Sequence, residues 1–153
     1  MISEGAKAPN FSLKNQKGET IKLSDFKGKK VVLYFYPKDD TPGCTVEACG
    51  FRDAYKELKK AGITVLGVSK DSEQSHKKFE EKFKLNFSLL SDPEGETCRA
   101  YDSLGEKTFF GKKSFGIFRN SFLINEQGLI VKIFQKVNPL GHEKQILEEF
   151  AKL

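Results

Sequence analysis

The chain has 153 residues, of which 38% are hydrophobic and 31% are charged, and its formal net charge is +5. This length fits one domain spanning residues 1–153, and the composition excludes intrinsic disorder. No apolar run approaches the roughly 18 residues that a membrane-spanning helix needs. The amino terminus lacks the apolar core of a secretory signal, so we expect a cytoplasmic protein that does not bind membranes.

The positive charge comes mostly from lysines scattered singly or in pairs, and the arginines are Arg52, Arg99 and Arg119. Base readout and base stacking in nucleic-acid complexes favour clustered arginine side chains. We therefore interpret the basic surplus as a solvated lysine-rich surface, and we expect no nucleic-acid partner.

The elements of the first half predict a parallel strand-helix-strand unit, which follows an amino-terminal β-hairpin around Lys17-Gly18. Residues 31–36 form a continuous β-branched and aromatic run, typical of a strand buried on both faces at the centre of a sheet. Apolar residues then recur at helical spacing and predict a helix that ends near residues 61–62. These apolar residues are Ala48, Phe51, Tyr55 and Leu58. A second buried strand over residues 63–68 completes the crossover.

The second half of the chain predicts further helices and strands that cover and extend this sheet. In chain order they are a helix capped by Asp71 or Ser72 with Phe79 and Phe83 on its buried face, a short strand over residues 87–90, a short helix over 94–101, an irregular aromatic loop, a hairpin of strands 121–125 and 129–134, and an amphipathic helix over 141–153. This order predicts an α/β thioredoxin-like fold, in which helices flank a central mixed β-sheet.

The cysteine pattern indicates redox chemistry or metal binding rather than a disulfide scaffold. The chain has three cysteines, at positions 44, 49 and 98. Three is an odd number and too few for a structural framework of disulfides. In a reducing compartment, closely spaced cysteines are typical of redox or metal sites.

Cys44 stands where an α/β protein places its reactive groups, just after the first central strand and at the start of the next helix. Thr41 can act as the N-cap of that helix and Pro42 as its first residue, which puts Cys44 in the first turn. Free backbone N–H groups and the positive end of the helix dipole stabilise a thiolate at this position. A thiolate is the nucleophilic form of the cysteine side chain.

Glu47 lies one turn beyond Cys44, and its negative charge opposes a thiolate there. A cation is therefore needed nearby. Arg119 is the best candidate, because the strand that it begins can bring it beneath the start of the helix. Its guanidinium can serve a carboxylate and a thiolate together.

Residues 34–49, YFYPKDDTPGCTVEAC, closely resemble the active-site stretch of peroxiredoxins. The resemblance is strongest to the bacterioferritin-comigratory, or Q-type, branch. It also includes residues 5–13 and 116–124 and extends over nearly the whole chain. The resemblance implies a thioredoxin-like fold and a thiol-dependent peroxidase that needs neither a cofactor nor a metal.

The resemblance also implies roles for individual residues. Cys44 corresponds to the peroxidatic cysteine, shielded and oriented by Pro37 and Thr41, while Arg119 polarises the peroxide. Cys49 corresponds to the resolving cysteine, which closes a disulfide with Cys44. By the same resemblance we expect hydrogen peroxide and organic hydroperoxides as substrates, thioredoxin as the reductant, and a monomer.

Helix geometry makes the resolving step demanding. Five residues of regular helix separate the Cα atoms of Cys44 and Cys49 by about 8.6 Å and turn their side chains about 140° apart. A disulfide spans at most about 7 Å between Cα atoms. If both cysteines lie on one regular helix, that helix must unwind locally before the disulfide can form.

Three alternatives remain open from the residues alone. A thioredoxin-type disulfide oxidoreductase has two residues between its cysteines, whereas Cys44 and Cys49 have four between them. A metal module would combine the cysteines with His76 or His142, although these lack the spacing of a zinc site. A non-enzymatic chaperone or scaffold would leave the cysteines inert.

Within the peroxidase hypothesis we expect Cys98 to be a small apolar residue of the core. The alternative role for Cys98 is that of an extra resolving thiol.

Overall fold

The computed structural model of the protein describes residues 2–152, apart from the side chain of Phe109. Its strands are β1 Ser12–Asn15, β2 Thr20–Lys22, β3 Lys30–Phe35, β4 Ile63–Ser69, β5 Ser88–Ser91, β6 Leu104–Phe109, β7 Lys112–Ile117, β8 Ser121–Ile124 and β9 Ile130–Phe134. Its α-helices are α1 Pro42–Asp53, α2 Tyr55–Lys60, α3 Glu73–Phe83, α4 Glu96–Ala100 and α5 His142–Ala151.

The main sheet has the strand order β2-β1-β5-β4-β3-β8-β9. Its central strands β3, β4 and β5 are parallel, and the outer strands pair antiparallel. The amino-terminal hairpin is confirmed as β1 and β2, and β3 occupies the centre as its apolar sequence predicts. The thioredoxin-like α/β fold with a mixed sheet is therefore confirmed.

Side chains of β3 alternate between two hydrophobic cores, one on each face of the sheet. Val32 and Tyr34 join the core beneath α1, α3 and α5, whereas Leu33 and Phe35 join the core that includes Cys98 of α4. Each of these side chains is at most 1% exposed. Full burial of an apolar side chain stabilises a fold by about 1.5–3 kcal/mol, so β3 holds both layers together.

The long helix predicted to end near residues 61–62 is instead two helices. α1 ends at Asp53 and α2 begins at Tyr55, with Ala54 between them at φ −88° and ψ 6°. The side-chain amide of Asn86 donates a hydrogen bond of 3.3 Å to the Arg52 carbonyl. This carbonyl lies in the last turn of α1, so a contact from outside the helix takes the acceptor that a continuing helix would use.

The aromatic loop predicted to be irregular is instead a β-hairpin of β6 and β7, paired outside the main sheet. Its two-residue turn consists of Phe110 and Gly111, whose φ angles are +50° and +76°. Positive φ at both turn positions is typical of the type I′ turn of hairpins. The prediction was wrong because asparagine or aspartate, rather than phenylalanine, usually marks the first position of that turn.

The other boundaries agree with the predicted elements to within one or two residues. Ser72 is the N-cap of α3, because its hydroxyl accepts a hydrogen bond of 3.1 Å from the Ser75 N–H. α5 begins at His142, one residue after the predicted start. None of the helices found between residues 2 and 152 has the length and apolar character to cross a membrane.

Candidate active site

The loop after β3 delivers Cys44 to the start of α1. Thr41 has the extended conformation of an N-cap residue and Pro42 is the first helical residue, as the sequence predicts. The Thr41 hydroxyl does not cap the helix, however, and donates a hydrogen bond of 2.9 Å to the Lys38 carbonyl. Its proton is thereby engaged, and its oxygen lone pairs stay available to accept a hydrogen bond from a ligand.

Asp40 reverses the chain direction just before the helix. Its φ of +57° lies in the left-handed region, which aspartate tolerates better than most residues. Its carboxylate forms an exposed ion pair of 2.8 Å with Lys82 of α3. The turn at Asp40 points α1 back over the carboxyl end of the sheet.

Arg119 joins Cys44 and Glu47 from beneath the helix. The two side chains lie one turn apart on α1, and the Cys44 thiol is buried, with the residue 1% exposed. Arg119 Nη1 donates a hydrogen bond of 2.9 Å to Glu47 Oε1, and its Nη2 lies 3.5 Å from Cys44 Sγ. The structure thus brings together the cation and the two acidic groups that the sequence analysis linked.

Gly43 permits this close approach of Arg119 to the helix. A Cβ atom at Gly43 would lie 3.0 Å from Arg119 Nη2 and 3.6 Å from Pro139 Cγ. The guanidinium would then have to move, and its contact with the Cys44 thiol would lengthen. A glycine directly before Cys44 is therefore part of the site's packing.

Glu47 is a fully buried carboxyl group, and only one of its two oxygens has a hydrogen-bond partner among the residues described. Burial raises its pKa to about 7, although Arg119 opposes this rise, and Glu143 adds to it. Its Oε2 atom has no hydrogen-bond partner among the residues described. Glu47 therefore holds Arg119 in place, while its ionised form is costly inside the core.

Two cations interact electrostatically with Cys44. Burial alone would lower the pKa of Arg119, but Cys44 and Glu47 beside it raise that pKa above its usual value. Lys107 of β6 is the second cation, and its pKa is lowered by partial burial and by Arg119, while Cys44 opposes this. Sequence analysis missed Lys107, because the loop that contains it was not predicted to be a strand near the site.

Two residues of the predicted site, Pro37 and Cys49, are more exposed than the buried Cys44. Pro37 is exposed directly after the buried Tyr36, and Cys49 is partly buried five residues after Cys44 on α1. Both cysteines are free thiols on one regular helix. The structure therefore does not bring Cys49 to Cys44.

Cys98 lies apart from the other two cysteines. It is fully buried in the core on the opposite face of the sheet from Cys44. Burial, together with Asp92, raises the pKa of its thiol well above the usual value. A protonated thiol enclosed by apolar side chains is a poor nucleophile and a poor metal ligand, which disfavours a metal module built from the three cysteines.

A buried cysteine beside an arginine, at the first turn of a helix on a thioredoxin-like sheet, defines the class of thiol-dependent peroxidases. Comparison with known proteins narrows this class: residues 5–133 match the AhpC/TSA family, and the chain belongs to that family. It is 48% identical over 147 residues to peroxiredoxin Bcp of Bacillus subtilis, covering 96% of this chain and 94% of that protein. It is also 48% identical over 146 residues to peroxiredoxin Bcp of Escherichia coli, covering 95% and 94%.

Solved structures agree with these sequence relatives. The bacterioferritin comigratory protein of Xanthomonas campestris, studied for its alkyl peroxide reduction, matches with a TM-score of 0.88 at 39% identity, covering 93% of this chain and 90% of that chain. A cysteine mutant of Xylella fastidiosa PrxQ matches with a TM-score of 0.94 at 34% identity, covering 99% and 97%. The resemblance to Q-type peroxiredoxins is confirmed, and the chain is a thiol-dependent peroxidase.

Proposed function

We propose that Cys44 reduces hydrogen peroxide and organic hydroperoxides. Its thiolate attacks one peroxide oxygen, an S–O bond forms, and the O–O bond breaks. The products are a sulfenic acid on Cys44 and water or an alcohol, once the leaving oxygen has taken up a proton. The observation that carries the proposal is the Arg119 guanidinium, which contacts Cys44 and Glu47 together.

Three residues around the thiol would assist this attack. Arg119 stabilises the thiolate and the charge that develops on the leaving oxygen. The Thr41 oxygen can accept a hydrogen bond from the peroxide O–H, because its own proton is donated to Lys38. Pro37 offers no backbone N–H, so it provides no competing donor at the rim of the site.

Cys49 would complete the oxidative half of the cycle. Its thiol attacks the Cys44 sulfenic sulfur and expels water, which leaves an intramolecular disulfide. The two Cα atoms are about 8.6 Å apart on a regular helix, so α1 must open between them. Support for an opening comes from Gly50 and from the end of α1 at Asp53.

A dithiol protein would then return both cysteines to the thiol form by disulfide exchange. We propose thioredoxin as this reductant, on the basis of the family to which the chain belongs. The low cysteine content suits a reducing compartment, so we also propose a cytoplasmic enzyme. On the basis of the family we propose a monomer, and on the basis of chain length a single domain over residues 1–153.

Turnover by single-cysteine variants tests this function. Peroxide-dependent oxidation of NADPH is measured with thioredoxin and its reductase. Cys44→Ser is expected to abolish turnover, because the nucleophile is lost. Cys49→Ser is expected to keep one stoichiometric reduction of peroxide but to lose thioredoxin-dependent turnover. Retained turnover in Cys44→Ser would contradict the assignment, and inert thiols in the unaltered protein would favour a chaperone or scaffold.

A further inference from the structure

A buried hydrogen bond between an aspartate and a histidine lies beneath the loop that precedes Cys44. Asp39 Oδ2 lies 2.7 Å from His76 Nδ1, and the two side chains are 3% and 0% exposed. Asp39 belongs to the loop after β3, whereas His76 belongs to α3. The pair therefore joins α3 to the loop two residues before Thr41.

Both carboxylate oxygens and the backbone N–H of Asp39 have hydrogen-bond partners. Its Oδ1 accepts 2.6 Å from the Tyr36 hydroxyl, and its Oδ2 also accepts 2.8 Å from the Ser75 hydroxyl. Its backbone N–H donates 2.8 Å to Asp71 Oδ2. Buried polar networks that are fully satisfied are rigid and specify one arrangement of the chain.

His76 is fixed at both ring nitrogens. Its Nε2 lies 3.0 Å from the Leu90 carbonyl at the end of the sheet, and its Nδ1 faces Asp39. A carbonyl only accepts, so Nε2 donates to Leu90, and Nδ1 forms the hydrogen bond to the Asp39 carboxyl group. The ring thus connects the loop to β5 as well as to α3.

Two further contacts hold the loop, one to α3 on its exposed side and one between two residues of the loop itself. Lys82 of α3 pairs with Asp40 at 2.8 Å, and Thr41 donates to Lys38 at 2.9 Å. The exposed pair is worth little by itself, since solvent screens it. The buried Asp39–His76 pair is therefore the main constraint on where Thr41 and the start of α1 lie.

We infer that Asp39 and His76 are a positioning pair that holds the loop over residues 37–41, and with it Thr41 and Cys44, in the peroxide-reactive arrangement over Arg119. This inference rests on the proposed function of Cys44. Neither residue touches the reacting atoms. The pair also sets the upstream limit of helix opening, because the chain before Thr41 stays anchored while α1 unwinds beyond it.

The inference predicts that the two chemical steps respond differently to loss of the pair. Oxidation of Cys44 requires the anchored arrangement, and a misplacement of about 1 Å can slow a reaction about a hundredfold. Attack by Cys49 requires the unwound arrangement, which the anchor does not favour. A variant without the pair is therefore expected to oxidise slowly but to form its disulfide as fast as the unaltered protein, or faster.

Three substitutions of His76 separate positioning from burial. His76→Phe removes both ring donors, His76→Asn keeps an amide donor near the Nδ1 position, and His76→Gln keeps one near the Nε2 position. We expect oxidation by hydrogen peroxide to slow at least about tenfold in His76→Phe and His76→Gln, but to stay within about threefold in His76→Asn. Rescue by asparagine alone would identify the bond to Asp39 as the one that matters.

Gln16→Leu is the matched control for lost buried hydrogen bonds. Gln16 is 6% exposed and bonds Glu80 of α3 at 2.6 Å and the Phe87 carbonyl at 2.9 Å, away from the loop. The Gln16→Leu variant is expected to be less stable than the unaltered protein but to oxidise Cys44 at the same rate. If His76→Phe does not fold, Ser75→Ala removes one donor from the same carboxylate and is expected to slow oxidation about fivefold, from the loss of about 1 kcal/mol for one hydrogen bond.

The measurement has two parts for each variant. Stopped-flow kinetics in a Cys49→Ser background give the rate constant for Cys44 oxidation. Timed mass spectrometry with Cys49 present, at peroxide concentrations high enough that oxidation does not limit the rate, gives the rate constant for conversion of the sulfenic acid into the disulfide. Equal oxidation rates in His76→Phe and the unaltered protein, or an equal slowing of both steps, would overturn the inference. Failure of the unaltered protein to oxidise at Cys44 would instead overturn the proposed function.

Discussion

Arg119 donates a hydrogen bond of 2.9 Å to the carboxyl group of Glu47, and these side chains are 17% and 0% exposed. The same guanidinium reaches Cys44 with its other terminal nitrogen. A buried carboxyl group thus fixes the cation that stabilises the thiolate, and the fork of arginine makes both contacts possible.

The fork geometry can be tested at Arg119 itself. Arg119→Ala is expected to slow oxidation of Cys44 by hydrogen peroxide about a hundredfold or more, the scale of losing one charge-stabilising donor. Arg119→Lys is expected to rescue the rate poorly, because one ammonium cannot serve Glu47 and Cys44 together. Arg99→Lys, on the exposed side of α4, is the control and should react normally. A near-normal rate in Arg119→Lys would show that charge alone suffices.

Glu47 makes stability depend on pH. Its pKa is raised in the folded state, from 4.5 to about 7, chiefly by burial. The stability that it contributes is therefore present at low pH and is lost as pH rises through that range. This loss amounts to about 2 kcal/mol between pH 5.5 and pH 8. Denaturant unfolding at both pH values should show a smaller difference in Glu47→Gln, and an unchanged difference would contradict this origin.

Gly43 is expected to control the placement of Arg119. Gly43→Ala puts a methyl group 3.0 Å from Arg119 Nη2, and the guanidinium cannot move away without lengthening its contact with Cys44. Oxidation of Cys44 should slow about tenfold. Gly116→Ala is the control, since its methyl group would lie 4.0 Å from its nearest neighbour, Lys107. Equal rates in both variants would show that the close approach at Gly43 does not matter.

Unwinding of α1 should be visible by amide hydrogen exchange in the reduced and disulfide forms. Residues 43–50 are expected to lose protection in the disulfide form, because the two cysteines cannot meet on a regular helix. Phe51 is fully buried in the core and limits the opening on its far side. The strand β3 serves as the internal control and should exchange equally in both forms. Equal protection of α1 in the two forms would contradict the unwinding.

Local sequence signals were enough to predict the centre of the fold and the position of Cys44. The apolar run of β3 specifies a buried strand, and Thr41-Pro42 specifies a helix start, because each acts through its own backbone. Arg119 followed from the expected adjacency of strands, since β8 does pair with β3.

Contacts between distant segments account for what the sequence did not predict. The break at Ala54 coincides with a contact from Asn86 to the end of α1, and Lys107 lies on a hairpin with an unusual turn at Phe110. The contact of Asp39 could not be predicted from local sequence, because its partner His76 is 37 residues away. His76 also shares a helix face with Phe79, a pattern that is typical of a packed side chain.

The most direct test of the catalytic account is peptide mass mapping after one equivalent of hydrogen peroxide is added to the fully reduced protein. The account predicts a disulfide between Cys44 and Cys49, with Cys98 recovered as a free thiol from the opposite core. Recovery of Cys44 as a free thiol, or in a disulfide with Cys98, would contradict it.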